Sequence, residues 1–175
     1  MVSNLVLAFP KLENDTYEWI QSIRKSNDIR YYTVVKPHFT IVFPLFNYEI
    51  GELQMHIKNI CTEIESIQFS IRATTIVKDS FSEYTDVFLV PDEGNSQIIK
   101  LHNKLYTGII RKELRLDIPF IPHIGIGASK VAEDAKQLSN NLNKQKFCVE
   151  SKITELDLVE YSYPKVNLIS KYLLK

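Results

Sequence analysis

Hydrophobic residues recur along the chain with two spacings, and segments of the two kinds alternate. Around residues 66 to 77 apolar and polar residues alternate one by one, as in a half-buried strand, and residues 4 to 9 and the segment toward the carboxyl end are also predicted to form strands. Four other segments repeat apolar residues every three or four positions, which predicts amphipathic helices. The predicted order of elements is βαβαββαβαββ, and the fold class is therefore α+β with antiparallel or mixed sheets.

The starts and faces of the helices can be predicted. In NDTYEW, Asp15 is expected to cap a first helix that runs to about Asn27, with Glu18 completing a capping box. Ser96 is expected to cap the third helix, and the fourth to begin at Ser129. The apolar faces predicted for the second, third and fourth helices are Leu53, Ile57, Ile60 and Ile64; Ile98, Leu101, Leu105 and Ile109; and Val131, Ala135, Leu138 and Leu142.

The strand patterns predict how the chain is organised. SIQFSIRATTIV alternates strictly and predicts one strand with Ile67, Phe69, Ile71 and Ala73 on its apolar face and TDVFLVP as its hairpin partner. The tail from residue 147 predicts two strands around a turn near Pro164. Two β-α-β-α-β-β halves suggest a duplication, so we predict one domain over residues 1–175, with two pseudo-symmetric lobes and a central groove between their sheets.

Composition narrows the class of partner. The 175 residues are 45% hydrophobic, which is enough for a sizeable core, and the 21 basic residues equal the 21 acidic ones. The lack of a basic excess disfavours duplex DNA and other long duplexes, and leaves RNA ends or a few nucleotides as nucleic-acid partners. Two cysteines without a C-x-x-C pattern, and no apolar leader or membrane span, predict a cytoplasmic protein, which we expect to be a monomer.

Two stretches share one unusual phrase. KPHFTIVFPLF at residues 36–46 and FIPHIGIGAS at residues 120–129 both place proline and histidine before apolar and small residues. One histidine in an apolar strand is more often structural, but two in a repeated phrase favour a shared function. Because side chains two apart on a strand share a face, Thr40 is expected beside His38, and Gly125 beside His123.

Two imidazoles that converge on one groove suit acid–base chemistry near neutral pH. In-line displacement at phosphorus needs one base for the attacking group and one acid for the departing oxygen, with donors for the equatorial oxygens. Thr40 is placed to be such a donor. Gly125 and Gly127 either let a phosphate approach the backbone N–H groups or mark a bulge or close packing. The scheme needs neither metal nor cofactor.

PHFTIV and PHIGIG resemble the paired H-x-T-x signatures of the 2H phosphoesterase superfamily, especially its 2'-5' RNA ligase and RNA 2',3'-cyclic phosphodiesterase branch. The resemblance implies a bilobal fold and metal-free opening of 2',3'-cyclic phosphates, commonly to 2'-phosphates, with joining or cleavage of 2'-5' linkages in some members. It makes His38 and His123 catalytic, assigns phosphate binding to Thr40 and to the backbone at Gly125, and favours His123 as the base. Gly125 departs from the family, which usually has Thr or Ser there.

Two alternatives to this function stay open. A catalytically weakened protein would bind nucleotides or RNA ends without turning them over, and Gly125 favours it. A phosphodiesterase of the same kind could instead act on ADP-ribose 1'',2''-cyclic phosphate or on 2'-5' oligoadenylate. Tyr161 or Tyr163 could stack on a base, and Tyr163 is the residue predicted to do so. The other interpretation is that both tyrosines have a purely structural role in the core or at the surface. His56 and His102 are assigned to structure or surface.

Overall fold

The computed structural model describes residues 2–175, and within that range it contains nine strands, four α-helices and one 3-10 helix. None of the helices in this range has the length and apolar character that a membrane span requires. In chain order the elements are β1 Ser3–Ala8, α1 Asn14–Asn27, β2 Phe39–Leu45, α2 Ile50–Cys61, β3 Ile67–Ile71, β4 Ala73–Lys78, β5 Thr85–Val90, α3 Asn95–Leu105, the 3-10 helix Gly108–Glu113, β6 Ile124–Ser129, α4 Ala132–Asn143, β7 Val149–Ile153, β8 Glu155–Ser162 and β9 Lys165–Leu173.

The strands form three sheets, and every pairing is antiparallel. The first sheet has the order β2-β1-β8-β9, so it joins strands from the two ends of the chain. The second sheet has the order β4-β5-β6, and the third is the pair β3-β7. The α+β class is confirmed, and the sheets are antiparallel rather than mixed.

The helices divide between the two larger sheets. Helix α3 packs on β2 and α2 on β9, whereas α1 packs on β6 and α4 on β4, β5 and β6. Helix α1 follows β1 in the sequence but lies on the second sheet, so the chain crosses between the sheets. The apolar faces pack as predicted except at two exposed positions, Ile109, which lies beyond the end of α3, and Val131, which precedes α4.

The prediction of a single strand over residues 66–77 is wrong. The chain turns at exposed Arg72, so β3 pairs with β7 while β4 pairs with β5. Ala73 is exposed and Thr74 is buried, the reverse of the predicted faces, because the alternation restarts in the new sheet. At this change of sheet, Arg72 forms ion pairs with Asp92 and Glu93 on the protein surface.

The tail and the helix starts also need correction. The tail forms three strands rather than two, because the chain leaves β3's partner strand at Thr154 and enters the first sheet; the turn near Pro164 is where it was predicted. Helix α1 begins at Asn14 without a side-chain cap from Asp15. Helix α3 is preceded by Gly94, not capped by Ser96. Gly94 has φ +78° and a Cβ there would lie 2.3 Å from the Gln68 carbonyl oxygen, so only glycine fits.

Candidate active site

His38 and His123 occupy equivalent backbone positions, each immediately before the first residue of a strand, β2 or β6. Each follows a proline, Pro37 or Pro122, which cannot donate to a ladder, so regular pairing begins only after the histidine. The two histidines therefore lie just outside the strands that were expected to contain them.

The two imidazoles are held in the same way. Nδ1 of His38 lies 2.8 Å from the Lys36 carbonyl oxygen, and Nδ1 of His123 lies 2.6 Å from that of Ile121. Because a carbonyl oxygen only accepts, Nδ1 must carry the hydrogen in both rings. In each neutral ring Nε2 is then the nitrogen with a free lone pair.

Both rings line a cavity of about 360 Å³ between the first and second sheets. The structure brings four of the five predicted site residues together there, namely His38, Thr40, His123 and Gly125. The other residues of the wall are Leu5, Leu7, Arg24, Asp28, Arg30, Tyr31, Val35, Phe43, Pro44, Asp79, Asp86, Phe88, Gly127, Ala128, Val159, Tyr161 and Val166.

The cavity keeps both histidines neutral. Burial lowers the pKa of His38 to about 4; the bond to the Lys36 carbonyl partly offsets this, and the charge of Arg24 adds to the lowering. Burial likewise lowers the pKa of His123 to about 4, with the Ile121 carbonyl opposing and His38 adding to the effect. At pH 7 each Nε2 is a proton acceptor, and one ring must gain a proton before it can act as an acid.

Aromatic rings fix the two imidazoles differently. Phe88 of β5 stacks on His123 with ring centres 3.6 Å apart and planes 14° apart. Phe9 lies beside His38 with centres 5.8 Å apart and planes tilted by 48°. His123 is therefore confined face to face, whereas His38 has an aromatic neighbour on one side without stacking.

Thr40 and Gly125 follow their histidines by two residues. Thr40 is half-buried on the cavity wall, and its hydroxyl makes no hydrogen bond within residues 2–175, so it is free to donate to a ligand. A Cβ at Gly125 would meet nothing within 4 Å, so space for a side chain is present. At Gly127 a Cβ would lie 2.9 Å from Cδ2 of Leu138 and 3.0 Å from Cβ of Asn27, so close packing explains that glycine.

A bulge interrupts β6 between its two glycines, because Val87 pairs with Gly127 and Phe88 with Gly125. The strand therefore contains the bulge that was one interpretation of the two glycines. The other interpretation, close packing, applies to Gly127 only. Neither explains why Gly125 lacks a side chain.

Two arginines on the cavity wall were missed by the sequence analysis. Arg24 is 2% exposed and donates to one carboxylate oxygen of Asp28 at 3.0 and 3.1 Å. Arg30 pairs with Asp79 and Asp86. The i,i+4 spacing of Arg24 and Asp28 was a usable signal, whereas nothing local links Arg30 to carboxylates in β5 and the loop before it.

Tyr163 lies outside the cavity, 64% exposed at the turn between β8 and β9. Tyr161, two residues earlier on β8, lines the cavity. The stacking role assigned to Tyr163 stays a prediction, and the geometry favours Tyr161 as an aromatic wall of the cavity.

The remaining histidines serve the fold. His102 is 3% exposed, donates to the Ile41 carbonyl oxygen at 2.8 Å and stacks on Phe120. His56 bonds the Leu105 carbonyl oxygen at 2.8 Å. Within residues 2–175 no three His, Cys, Asp or Glu side chains cluster as a metal site would require.

Comparison with known proteins gives a consistent picture. Residues 12–163 match the 2'-5' RNA ligase superfamily. A predicted phosphoesterase of Bacillus licheniformis is 26% identical over 120 residues, which are 66% of this chain and 67% of that protein.

Solved structures share the fold over nearly the whole chain. The crystal structure of E. coli LigT complexed with 3'-AMP covers 99% of this chain and 98% of its own, with TM-score 0.61 and 14% identity. TT0787 of Thermus thermophilus covers 98% of this chain and 97% of its own, with TM-score 0.62 and 14% identity. At these identities the likeness establishes the fold.

Proposed function

The chain belongs to the 2'-5' RNA ligase superfamily, and we propose that it opens 2',3'-cyclic phosphates, chiefly to 2'-phosphates, at RNA ends or on small nucleotides. The family match confirms the resemblance to the 2H phosphoesterase superfamily, and the relatives support an enzyme of the phosphoesterase kind. LigT has been crystallised with 3'-AMP, which agrees with a nucleotide ligand in a cavity of this fold.

One observation carries the proposal: two histidines with the same tautomer line one cavity. A histidine with a purely structural role would need only the hydrogen bond from its Nδ1–H. It would not need to line a cavity with its Nε2 unpaired. Two such nitrogens supply the acceptor and, after uptake of one proton, the donor that displacement at phosphorus requires.

The proposed reaction balances with water as the only co-substrate. Nε2 of His123 accepts a proton as the water oxygen bonds to phosphorus, and Nε2–H of His38 gives a proton to O3' as the P–O3' bond breaks. A ribose 5'-hydroxyl in place of water would give ligation. The negative charge of a bound phosphate raises the pKa of a neighbouring imidazole, so the substrate itself favours protonation of the acid.

The equatorial oxygens need donors while this exchange takes place. The Thr40 hydroxyl is unengaged, and the backbone at Gly125 can approach a phosphate because no Cβ intervenes. A hydrogen bond to a charged group is worth about 1.5 to 3 kcal/mol, so the missing hydroxyl at position 125 would cost roughly ten- to a hundredfold in rate.

Phosphorus NMR tests the proposal directly. EDTA-treated protein is mixed with a 2',3'-cyclic nucleotide and, separately, with a short RNA ending in that group. We expect conversion to a monoester in both the presence and the absence of chelator, its loss in His38→Ala, and its retention in His56→Gln, a control outside the cavity.

The alternative function has its own signature in the same experiment. The bare position at Gly125 favours a protein that binds without turnover. Shifted phosphorus signals with no product would support that alternative, and activity that disappears with EDTA and returns with a divalent ion would exclude the metal-free mechanism.

A further inference from the structure

One part of the cavity wall holds an ion-pair cluster that the proposed reaction does not use. Arg30 donates from Nη2 to Oδ1 of Asp86 and from Nη1 to Oδ2 of Asp79, the latter at 3.4 Å. Its guanidinium carbon also lies 4.1 Å from the centre of the Tyr84 ring. Arg30 is thereby held on several sides and fixes the orientation of Asp86.

Asp86 keeps one acceptor unused. Its Oδ1 receives Arg30, whereas its Oδ2 has no hydrogen-bond partner within residues 2–175. Burial raises the pKa of Asp86; the positive charge of Arg30 opposes the rise, and the negative charge of Asp79 adds to it. A half-buried carboxylate with too few hydrogen-bond donors around it is stabilised by a ligand that donates an N–H group.

The position of Asp86 relative to the histidines suits a nucleotide. Asp86 and Phe88 are two residues apart on β5, so their side chains share a face roughly 7 Å apart, and Phe88 stacks on His123. With the phosphate at the histidines, the base of a nucleotide lies across the ribose at a comparable distance. Tyr31 and Tyr161 line the same cavity and offer aromatic faces to a base.

The charges of the wall favour a small ligand over a polymer. The wall contains no lysine; Arg24 is paired with Asp28, and Arg30 with Asp79 and Asp86. Such a wall offers no unpaired cation to the phosphates of a long strand, whereas a mononucleotide places its one phosphate at the histidines. A volume of about 360 Å³ is at the lower end of the range for small-molecule sites.

On the premise of the proposed function, we propose that Asp86 selects mononucleotide-sized substrates whose base carries an exocyclic amino group, with Oδ2 accepting the amino hydrogen. Adenine, cytosine and guanine present such a group. Uracil presents a carbonyl oxygen at the corresponding edge, which would face the carboxylate and leave it unsatisfied.

Direct binding measures this preference without turnover. Calorimetric titration of the wild-type protein with 3'-AMP, 3'-CMP and 3'-UMP should give affinities about tenfold tighter for the two amino-bearing nucleotides. In Asp86→Asn the side-chain amide can turn either its oxygen or its nitrogen to the base, so the preference should shrink to within about twofold. Glu83→Gln removes one carboxylate charge at an exposed position outside the cavity and should keep the wild-type preference.

The outcomes separate this proposal from its alternatives. Equal affinities in the wild-type protein overturn it, and so does an unchanged preference in a folded Asp86→Asn, which would make the cluster a structural anchor only. If Asp86→Asn does not fold, the affinities of the wild-type protein decide: tighter binding of 3'-AMP than of 3'-UMP supports the proposal, and equal or reversed affinities overturn it.

Polymer size and catalysis are judged separately. A short RNA with a cyclic end should bind no tighter than the mononucleotide, and a gain of about tenfold or more would overturn the size preference. Failure to hydrolyse any cyclic phosphate contradicts the proposed function, whereas the base preference is read from binding alone.

Discussion

The ends of β2 and β6 that carry the histidines share a backbone arrangement and differ in the side chain two residues further along. Both place proline before histidine and bond Nδ1 to the carbonyl two residues earlier. Beyond the histidine, one strand has Thr40, with a free hydroxyl, and the other has Gly125, with open space. The placement of an imidazole is thus repeated, whereas a side-chain hydroxyl two residues further along is present on one side only.

The rings differ as well. His123 is stacked on Phe88, whereas His38 has only a tilted neighbour in Phe9. A ring confined face to face keeps its Nε2 lone pair in one direction, which suits a group that must accept a proton from a positioned water. The comparison therefore agrees with His123 as base and His38 as acid, and it can be tested at four points.

Removing either imidazole should have the largest effect. His38→Ala and His123→Ala are each expected to lower turnover of a 2',3'-cyclic nucleotide by at least about a hundredfold, because each removes one proton-transfer group. Loss of the acidic limb of the pH–rate profile in His123→Ala, and of the alkaline limb in His38→Ala, would assign base and acid. A near-normal rate in either folded variant would contradict the pair.

The two glycines of β6 should differ in their contribution to stability. Gly127→Ala is expected to lower the free energy of unfolding by about 1 to 2 kcal/mol, because its Cβ meets Leu138 and Asn27. Gly125→Ala should be neutral or stabilising by up to about 1 kcal/mol, because the position is open. Urea denaturation of both variants measures the difference, and equal losses would refute the assignment of close packing to Gly127 alone.

A hydroxyl restored at position 125 should sharpen the comparison with Thr40. Gly125→Thr is expected to preserve turnover or raise it by up to about tenfold, because the space is open and the new donor can reach an equatorial oxygen. Gly125→Val, of similar shape without the hydroxyl, is the matched control and should be slower than the threonine variant. Collapse of activity in folded Gly125→Thr would show that the cavity requires glycine there.

The last test concerns stability as a function of pH. In the unfolded chain histidine titrates near 6.5, whereas burial lowers the folded pKa of His38 and His123 to about 4. As pH falls through this window the unfolded state binds protons first, so stability is full above about pH 6.5 and declines toward pH 4. The urea midpoint should fall less between pH 7 and pH 5 in His123→Gln than in the wild-type protein, and parallel declines would contradict the lowered pKa.

Locally encoded features were predictable from the sequence. The apolar faces of the helices, the turn near Pro164 and the proximity of His38 to Thr40 all follow from spacing within short stretches of the chain. The break at Arg72 was not predictable, because apolar and polar residues continue to alternate while the strand changes partner. The Arg30–Asp86 pair joins residues 56 positions apart, and no periodicity reports such a contact.

The position of β1 between β2 and β8 has a consequence for how the protein is made. Residues 3–7 pair with residues 157–161, so the first sheet closes only when both of these distant segments are available. Contacts of such long sequence separation slow folding. Until β8 arrives, β1 presents an unpaired edge that can template association between nascent chains, and the wall that contains Tyr161 is absent. The cavity is therefore expected to be among the last parts of the molecule to form during synthesis, with no partly made chain able to act early.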